Sequence, residues 1–490
     1  MNDSTKLLQL IDRLDKVNIL CLGDVMLDKF VYGDVSRISP EAPVPVCRVI
    51  DEASMLGGAG NVARNLAEVG VSVDFVSVVG NDEAADQVLS LVQGINQIRP
   101  KLIREPGRQT TIKERYFGGS QQLMRLDRED CKDISNDTKE NIFDYVRKTI
   151  ATADALILSD YGKGILTPES LQELISIAKN CNCPVIVDPK GGDYQRYRGA
   201  TVITPNLREL SESSKRGIVD NTTLVDAARF IAMEYGIENI LVTRSAEGMT
   251  LVSDKSIDHL PAEAREIFDV SGAGDTVVAI LAAVLAAGGG LLMASRLSNI
   301  AAGIAVGKTG TAVVSATELV ESLQSQDSLH LSNSKILSLE DAKKKVEIWR
   351  SQSDKIGFTN GCFDLIHPGH LALLAESRFI CDRLIVGLNS DSSVKQIKGE
   401  SRPIQNEESR ASVLASLACV DMVVVFSEET PIELIKALRP DFLSKGADYL
   451  LENVVGADLV QSYGGQVFLV DIEEGHSTTG TIERLERKKN

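Results

Sequence analysis

Short runs of aliphatic residues alternate with helix-like segments along most of the chain. In the first two thirds these runs are unbroken and rich in Val and Ile, which is typical of strands buried on both faces of a parallel sheet. The runs lie at 17–24, 73–80, 155–160, 184–189, 201–206 and 239–244. Helical patterns separate most of them, and this alternation predicts strand–helix–strand units and an α/β fold.

Two segments of this region, 43–50 and 110–127, follow a different pattern. Polar and apolar residues alternate in both, and Gly118-Gly119 offers a tight turn within the second. Alternation indicates strands with one solvated face, and a tight turn between two strands indicates a hairpin. We therefore predict a small antiparallel β lid outside the main sheet.

A second series of apolar runs follows a polar, Ser-rich stretch that begins near residue 322. The helical pattern at 339–350 precedes predicted strands at 355–361, 383–391, 421–427, 441–446 and 466–471. We predict two domains, 1–326 and 338–490, joined by a linker at 327–337. The second domain is a smaller α/β unit, and the two share no motif, which indicates a fusion rather than a repeat.

Composition narrows the possible classes of protein. A chain of 490 residues is too long for one core, and 43% hydrophobic with 25% charged residues excludes a disordered chain. The longest apolar runs are too short to span a membrane. The net charge of −17 argues against nucleic-acid binding. The eight scattered cysteines lack zinc spacing, and the polar N-terminal helix is unlike a secretion signal, so we expect a cytoplasmic protein with reduced thiols.

The sharpest chemical signal of the first domain is the segment 269–276, DVSGAGDT. Gly272, Ala273 and Gly274 precede a strongly helical run, and the N–H groups of such a turn form an anion hole. Asp275 lies in the first helical turn, where it can accept the proton of a hydroxyl group that attacks a γ-phosphoryl group. The residues alone equally allow Asp275 to cap the helix and complement its dipole.

Further motifs stand in a fixed order around this segment. They are GDVMLD at 23–28, LGGAGNVARNLAEVG at 56–70, TPNLREL at 204–210 and VTRSAEG at 242–248. Together with DVSGAGDT they resemble the ribokinase-like family of carbohydrate kinases, over roughly residues 15–320. The resemblance implies a sheet sandwiched by helices, with a small β lid, that transfers a phosphoryl group from ATP to a sugar hydroxyl.

The resemblance also assigns roles to single residues. Asp275 matches the catalytic base, and Gly272, Ala273 and Gly274 match the anion hole. Asn206 and Glu209 match the pair that organises magnesium and the ATP phosphates, with the metal held through ATP rather than by a direct protein ligand. The other matches on the ATP side are Leu207, Arg208, Thr243, Gly248 and Asn299. The matches on the sugar side are Asp28, Gly57, Gly58 and Asn61.

Two other glycine motifs point to different chemistry and are rejected. The segment 58–63 fits the dinucleotide fingerprint G-x-G-x-x-A, but no buried strand is predicted before it and no acidic residue closes a strand at the expected distance. The segment 303–309, GIAVGKT, has too few residues between its glycines for a phosphate-binding P-loop and lies in a helical pattern.

The second domain opens with TNGCFDLIHPGHLALLAESR at 359–378. A strand and a turn lead to His367-Pro368-Gly369-His370 at the start of a helix, where two imidazoles can contact phosphate oxygens that the helix dipole favours. They can stabilise charge on an α-phosphate as pyrophosphate leaves. A zinc pair is the alternative, but the sequence offers no third ligand nearby.

This segment resembles the HxGH nucleotidyltransferases of the cytidylyltransferase-like superfamily, and GLNSD at 387–391 and HSTTGTI at 476–482 match further motifs. The resemblance implies a Rossmann-like domain in which His367 and His370 are catalytic. Thr359 and Asn360 match the opening of its nucleotide site. Weaker matches are Asp391, Lys398, Arg410 and, for ATP binding, Thr478 and Thr479. Lys445 either lies near the nucleotide or sugar or is a solvated loop lysine.

The pairing of the two domains resembles the bifunctional heptose 7-phosphate kinases/heptose 1-phosphate adenylyltransferases of lipopolysaccharide core synthesis. The implied first step uses ATP and Mg²⁺ to phosphorylate D-glycero-D-manno-heptose 7-phosphate at C1. The second joins heptose 1-phosphate to ATP, giving ADP-heptose and pyrophosphate. No phosphatase motif remains in the chain, so a separate sugar phosphatase is expected between the steps. The alternatives are another sugar phosphate, or a non-catalytic nucleotide sensor.

The lid supplies two further expectations. Lys113, Arg115 and Arg125 can clamp the 7-phosphate of the substrate, or they are simply exposed strand residues. Open strand edges invite pairing, and lids of the ribokinase-like family often pair across a two-fold axis. We therefore expect a homodimer through 43–50 and 110–127.

Overall fold

The computed structural model describes residues 3–119, 121–263, 267–308, 310–333, 335–446 and 451–470. The chain forms two compact units, residues 1–323 and 324–490. Each unit is an α/β structure built on its own sheet, which confirms the predicted fold class.

The first unit contains a main sheet and a separate lid sheet. In chain order its strands are β1 (Asn18–Gly23), β2 (Val25–Ile38), β3 (Pro45–Gly58), β4 (Ser72–Val79), β5 (Ile98–Arg104), β6 (Thr111–Gly118), β7 (Gln121–Arg128), β8 (Ala155–Ser159), β9 (Val185–Asp188), β10 (Val202–Ile203), β11 (Asn239–Thr243), β12 (Met249–Val252) and β13 (Ile257–Leu260). Its helices are α1 (Asp3–Ile11), α2 (Ala59–Glu68), α3 (Glu83–Gln93), α4 (Asn136–Thr149), α5 (Pro168–Asn180), α6 (Leu207–Ser214), α7 (Asn221–Tyr235), α8 (Ala273–Ala286), α9 (Leu291–Ala305) and α10 (Ala316–Asn333).

The main sheet has the strand order β13-β12-β11-β10-β9-β8-β1-β4-β5. The strands from β11 to β5 are parallel, and helices cover both of their faces. In β1, Ile19 and Cys21 enter one core while Leu20 and Leu22 enter the other, which explains the unbroken apolar runs. Each predicted buried strand lies in this sheet. The sequence missed β5, an edge strand interrupted by Pro100, and the antiparallel strands β12 and β13.

The lid is a four-stranded sheet with the order β3-β2-β6-β7. The predicted hairpin joins β6 to β7, but the prediction of a purely antiparallel lid was wrong, because β2 pairs in parallel with β6. The sequence missed β2, which follows β1 after the single residue Asp24 and carries the chain out of the main sheet. β7 is exposed along its whole length.

The structure agrees with the rejection of the dinucleotide motif at 58–63. The strand before it, β3, ends at Gly58 and is exposed or half-buried except at its last three residues, and α2 begins at Ala59. β3 belongs to the lid and pairs antiparallel with β2, so the motif lacks the parallel strand–helix–strand context of a dinucleotide site.

The second unit is one parallel sheet with the order β16-β15-β14-β17-β18. Its strands are β14 (Ile356–Gly361), β15 (Arg383–Asn389), β16 (Met422–Phe426), β17 (Phe442–Gly446) and β18 (Gln466–Val470). Its helices are α11 (Leu339–Ser351), α12 (Pro368–Phe379), α13 (Asp391–Lys398), α14 (Glu407–Ser416), α15 (Ile432–Leu438) and α16 (Ala457–Ser462). Strand order reverses between β14 and β17, which places a ligand crevice beyond their carboxyl ends.

The segment 327–337 differs in structure from a simple polar connection. It is helical as far as Asn333, since Ser and Gln do not break a helix as Gly or Pro would. Ile336 then forms a bridge with Val423, so the last residues of this segment join the sheet of the second unit. No described helix is long and apolar enough to cross a membrane.

Candidate active sites

The first unit has a polar pocket of about 200 Å³ beyond the carboxyl ends of its parallel strands. The strand order reverses at the pair β1 and β8, and the loops after β8, β9 and β10 line the pocket together with the start of α8. The lining residues are Asp160, Tyr161, Asp188, Pro189, Lys190, Thr204, Asn206, Glu209, Thr243, Gly272, Gly274 and Asp275. Three of the predicted ATP-side residues, Asn206, Glu209 and Thr243, therefore meet the predicted base in one place.

Asp275 lies in the first turn of α8 and is buried. Its two carboxylate oxygens have different donors: the Tyr161 hydroxyl donates to Oδ1, and the Asn61 side-chain amide donates to Oδ2 at 2.8 Å. Asn61, predicted on the sugar side, thus contacts the base directly, while its own buried Oδ1 atom has no hydrogen-bond partner among the described residues.

The Asp275 carboxyl is poised to exchange a proton near neutral pH. Burial raises its pKa to about 6, although the hydrogen bonds from Tyr161 and Asn61 favour the ionised form. A base with a pKa near the working pH combines ionisation with useful basicity. The carboxylate is therefore suited to general-base catalysis, and its burial argues against a role limited to capping an exposed helix end.

The glycine turn before α8 brings its backbone close to Asn61. Gly272 has a φ of +79°, and a Cβ atom there would lie 2.8 Å from the Asn61 side-chain nitrogen. Gly272 and Gly274 line the pocket, and the N–H groups of the first helical turn have no acceptor within the helix. This arrangement fits the predicted anion hole.

Asn206 and Glu209 form a reciprocal capping box at the start of α6. The Asn206 side chain accepts from the Glu209 N–H at 2.9 Å, and Glu209 accepts from the Asn206 N–H at 3.1 Å. Both residues also line the pocket, and the Lys190 ammonium lies 3.6 Å from Glu209. The cap fixes the pair where it can face the phosphates of ATP.

Carboxylates outnumber cations around this pocket. Burial raises the pKa of Asp188 well above its usual value, and the nearby carboxylates of Asp275 and Glu209 raise it further. Such a wall suits ATP whose phosphates carry Mg²⁺ better than it suits bare ATP.

Four residues predicted on the ATP side, Leu207, Arg208, Gly248 and Asn299, do not line the pocket. Arg208 is largely exposed and pairs with Glu212. Gly248 turns the chain at a φ of +84°, and Asn299 donates to the Pro261 carbonyl group at 2.6 Å. In the structure these last two residues shape loops near the edge strands. Leu207 opens α6.

On the predicted sugar side, Asp28 is buried and accepts from Arg115 at 2.8 Å. A Cβ atom on Gly57 would lie 2.3 Å from an Asp28 carboxylate oxygen, so only glycine leaves that carboxylate in place. Gly58 has a φ of +57°, which favours glycine as well. The Lys113 ammonium lies over the ring of Tyr161, 5.9 Å from its centroid.

Sequence reasoning missed Tyr161, Asp188 and Lys190. All three directly follow or close parallel strands that the sequence did predict, at 155–160 and 184–189. The rule that ligands bind beyond the carboxyl ends of parallel strands could have identified them.

In the second unit, His367 and His370 are stacked with their ring centroids 3.7 Å apart. His367 is the N-cap of α12, and the ring of His370 also contacts Phe363, with centroids 5.0 Å apart. Burial lowers the pKa of His370 to about 4, with help from the charges of His367 and Lys398. The imidazole of His370 is therefore neutral at physiological pH.

His370 lines a cavity of about 540 Å³ at the reversal point between β14 and β17. Asn360, from the end of β14, and Lys445, from the end of β17, line it too, and Lys445 Nζ donates to Asn360 Oδ1 at 2.9 Å. Lys445 is therefore a cavity residue rather than a solvated loop lysine. Thr359 is buried beneath and donates to the Ser444 carbonyl group at 3.0 Å, which joins the two strands.

The weaker matches of this unit have separate positions. Lys398 lines the cavity. Arg410 is fully buried, donates to the carbonyl groups of Cys362 and Asn389 and pairs with Asp391 at 2.6 Å. Arg410 therefore supports the loops around the cavity. Thr478 and Thr479 lie outside the described residues.

Comparison with known families divides the chain into two parts that correspond to its two units. A family model described as pfkB family carbohydrate kinase matches residues 16–319, and one described as cytidylyltransferase-like matches residues 358–479. With the two sites above, these matches define a sugar kinase that uses ATP, followed by a nucleotidyltransferase.

Full-length relatives carry both parts. The Bifunctional protein HldE of Paramagnetospirillum magneticum is 53% identical over 485 residues, which cover 98% of this chain and 99% of the relative. The protein of the same name from Rhodospirillum rubrum is 51% identical, covering 99% of this chain and 98% of the relative. The chain therefore belongs to the pfkB carbohydrate kinases and, over its whole length, to the family of the bifunctional HldE proteins.

Solved structures share the fold of the first unit. Phosphofructokinase-2 from Escherichia coli matches with a TM-score of 0.54 and 20% identity, covering 64% of this chain and 99% of that protein. Ribokinase from Arabidopsis thaliana, solved with ribose and ATP, matches with a TM-score of 0.51 and 17% identity, covering 63% and 98%. Identities this low support the fold alone.

Proposed function

We propose that the protein carries out two separate steps of ADP-heptose synthesis for the lipopolysaccharide core. The first unit transfers the γ-phosphoryl group of ATP to the C1 hydroxyl of D-glycero-D-manno-heptose 7-phosphate. The second unit transfers the adenylyl group of ATP to heptose 1-phosphate and releases pyrophosphate. The observation that carries the proposal is the buried Asp275 carboxylate beside a glycine turn, in a chain similar along its full length to bifunctional relatives.

In the kinase step, Asp275 accepts the proton of the C1 hydroxyl as its oxygen bonds to the γ-phosphorus. The bond from that phosphorus to the β–γ bridging oxygen breaks, and ADP leaves. The N–H groups at Gly272, Ala273 and Gly274 stabilise the charge on the transferring phosphoryl group. Asn206 and Glu209 would hold magnesium through ATP, and the metal would supply charge neutralisation at the phosphates. The Asn61 Oδ1 atom is available to accept from a sugar hydroxyl.

In the adenylyl transfer step, a phosphate oxygen of heptose 1-phosphate attacks the α-phosphorus of ATP. The bond to the α–β bridging oxygen breaks, and pyrophosphate leaves. His367 and His370 lie at the N-terminus of α12, where imidazole N–H groups, including those of the neutral His370, and the helix dipole stabilise the developing charge. Asn360 and Lys445, on the same cavity wall, hold the nucleotide or sugar phosphate.

A separate sugar phosphatase completes the sequence, because the first product carries a 7-phosphate that the second substrate lacks. The two reactions use the catalytic motifs assigned in this chain, and none of those motifs removes a phosphate. We also propose a cytoplasmic location, where ATP is available to both reactions.

The lid supports the proposed homodimer. Its exposed apolar side chains are Tyr32, Ile38, Val44, Val49, Ile50, Leu123, Met124 and Leu126. Burying such side chains against a second copy is favourable, and both lid edges are open to pairing. Light scattering at micromolar concentration is expected to give twice the mass of one chain, and a monomer would contradict this part of the proposal.

The whole proposal is tested by phosphorus NMR of the purified protein with heptose 7-phosphate and excess ATP. We expect the reaction to stop at the 1,7-bisphosphate, and ADP-heptose to accumulate once a sugar phosphatase is added. Direct formation of ADP-heptose would show that the substrates are misassigned or that the chain has a third activity. Turnover of other sugar phosphates but not of the heptose would support the first alternative, and no turnover at all would support a nucleotide sensor.

A further inference from the structure

We propose that the loop of residues 160–165, which follows β8, positions the catalytic base, and that the hydroxyl group of Tyr161 holds the Asp275 carboxylate in the orientation for proton transfer. Tyr161 is thus a positioning residue for the kinase step. The inference rests on the proposed role of Asp275 as the base, and the experiment below separates the two.

The first argument is that both oxygens of the Asp275 carboxylate accept a hydrogen bond from the protein. One oxygen of Asp275 accepts from Tyr161 and the other from Asn61, so rotation of the carboxylate would break a hydrogen bond on either side. A carboxylate oxygen can accept more than one hydrogen bond. Each oxygen can therefore still accept the proton of a substrate hydroxyl while its protein donor keeps it in place.

The second argument is that the loop itself is anchored to the main sheet. Asp24 follows β1, and its Oδ2 atom accepts from the backbone N–H groups of Tyr161 at 2.9 Å and Lys163 at 3.1 Å. Asp160 follows β8 and accepts from the Gly162 N–H at 2.8 Å. The ends of two adjacent parallel strands therefore set the position of Tyr161, and through its hydroxyl the position of the Asp275 carboxylate.

The third argument is that Tyr161 remains a donor. Burial raises the pKa of its phenol group well above the usual value, and the adjacent Asp275 carboxylate raises it further. The hydroxyl therefore keeps its proton throughout the range in which Asp275 ionises. A phenylalanine ring would keep the packing and the contact with Lys113 but could not donate.

Other groups also act on Asp275, and they are the same in the wild type and in the variants. The charge of Asp28 raises the pKa of Asp275, and that of Lys113 lowers it. The Asp275 charge in turn raises the pKa values of Asp188 and Cys21. Burial also raises the pKa of Asp24 to about 6. Because these contributions are shared, a difference in the pH of the acidic limb between the Tyr161 variants and wild type measures the effect of the hydroxyl group.

The test is the pH dependence of kcat/KM for the kinase reaction of the full-length Tyr161→Phe variant. Loss of a donor to the carboxylate raises the pKa of Asp275, so the acidic limb is expected to move up by about one pH unit. The value of kcat on the plateau is expected to fall about tenfold, with KM for the sugar changed less than about twofold. Replacement of Tyr161 by 3,5-difluorotyrosine keeps the shape, strengthens the donated bond and is expected to move the limb to lower pH.

Tyr145→Phe is the matched control, because it removes a tyrosine hydroxyl that donates to another carboxylate, Asp74, outside the pocket. It is expected to leave the limb unchanged. An unshifted limb in both Tyr161 variants, with Asp275→Asn inactive, would overturn the inference and leave the base assignment standing. Normal kinase activity in Asp275→Asn would instead overturn the proposed function. If Tyr161→Phe fails to fold, as judged by thermal unfolding, the test rests on the 3,5-difluorotyrosine protein alone. A limb at lower pH would then support the inference, and an unshifted limb would overturn it.

Discussion

In the first unit the proposed catalytic side chain is a buried carboxylate, Asp275, whereas in the second unit it is a stacked pair of imidazoles, His367 and His370. Burial acts on both, but in opposite directions: it raises the pKa of Asp275 to about 6 and lowers that of His370 to about 4. The common cause is that a poorly hydrated site disfavours whichever form is charged.

The comparison shows why each chemistry has its own residue type. A proton must leave the sugar hydroxyl in the kinase step, and a carboxylate with a raised pKa is a better acceptor for it. No hydroxyl is deprotonated when a phosphate oxygen attacks ATP, so the second site needs donors rather than a base. Imidazole N–H groups at a helix N-terminus provide them, and Lys398 and Lys445 line the same cavity as His370.

The largest expected effect is that of Asp275→Asn. The amide keeps the shape of the side chain but cannot accept the proton, so kinase turnover should fall by about 10²–10⁴-fold. Adenylyl transfer should not change. The two activities are measured on the same preparation, each with its own substrates. Near-normal kinase turnover would show that Asp275 is not the catalytic base.

His370→Ala is the reciprocal change. Loss of a donor to developing phosphate charge should lower adenylyl transfer by about 10²–10³-fold and leave the kinase intact. A similar loss in both activities would indicate misfolding. Metal analysis of the wild-type protein is the accompanying control, since zinc in stoichiometric amount would support the alternative interpretation of the histidine pair.

Gly272→Ala should affect the first unit by a different route. The residue has a positive φ, and the added Cβ would meet the Asn61 side chain that holds Asp275. We expect a loss of about 1–3 kcal/mol in the free energy of unfolding of this unit and at least about a tenfold loss of kinase rate. Denaturant unfolding with both assays checks this, and Gly107→Ala is a control: Gly107 also has a positive φ, but no neighbouring atom lies near its Cβ position. Equal kinase losses in both variants would mean that backbone strain alone explains the effect.

Much of the fold was predictable because its strands are buried on both faces. The runs that became β1, β8 and β9 are apolar at successive positions, which is typical of strands buried on both faces of a parallel sheet. β2 and β5 carry charged residues, and β5 also contains Pro100, so the local pattern did not reveal them.

The sites were predictable where a residue type and a helix start coincide, as at Asp275 and at the His367–His370 pair. The contact between Tyr161 and Asp275 spans 114 positions of the sequence and depends on how two loops meet, which no local pattern encodes. Arg410 is the converse case: in sequence it is a weaker match to the nucleotidyltransferases, but its donors are used by the protein itself.

The two activities should also differ in their pH dependence, and this effect on rate is smaller than that of the substitutions above. Asp275 is ionised above its pKa of about 6 and protonated below it, so kcat/KM for the kinase should be near half-maximal at that pH and near a tenth one unit lower. His370 stays neutral down to about pH 4 and should produce no step in adenylyl transfer between about pH 5 and 8. Parallel acidic limbs in both activities would show that burial does not separate the two sites as described.

The smallest expected effect concerns Arg125, a charged residue of the first unit that is not buried. Its guanidinium pairs with Asp127 at 2.9 Å on the exposed strand β7, and exposed pairs of this kind contribute about 0–1 kcal/mol. Arg125→Ala should therefore leave the free energy of unfolding and the kinase rate nearly unchanged, within about twofold for the rate.

Lys113→Ala, next to Tyr161, should instead raise KM for the sugar phosphate by about tenfold or more, since a charge-assisted phosphate contact would be lost. Steady-state kinetics with varied sugar phosphate compares the two variants. A larger rise in KM for Arg125→Ala than for Lys113→Ala would indicate that the 7-phosphate binds at β7. In that case the charged residues that contact the substrate would include exposed ones as well as buried ones.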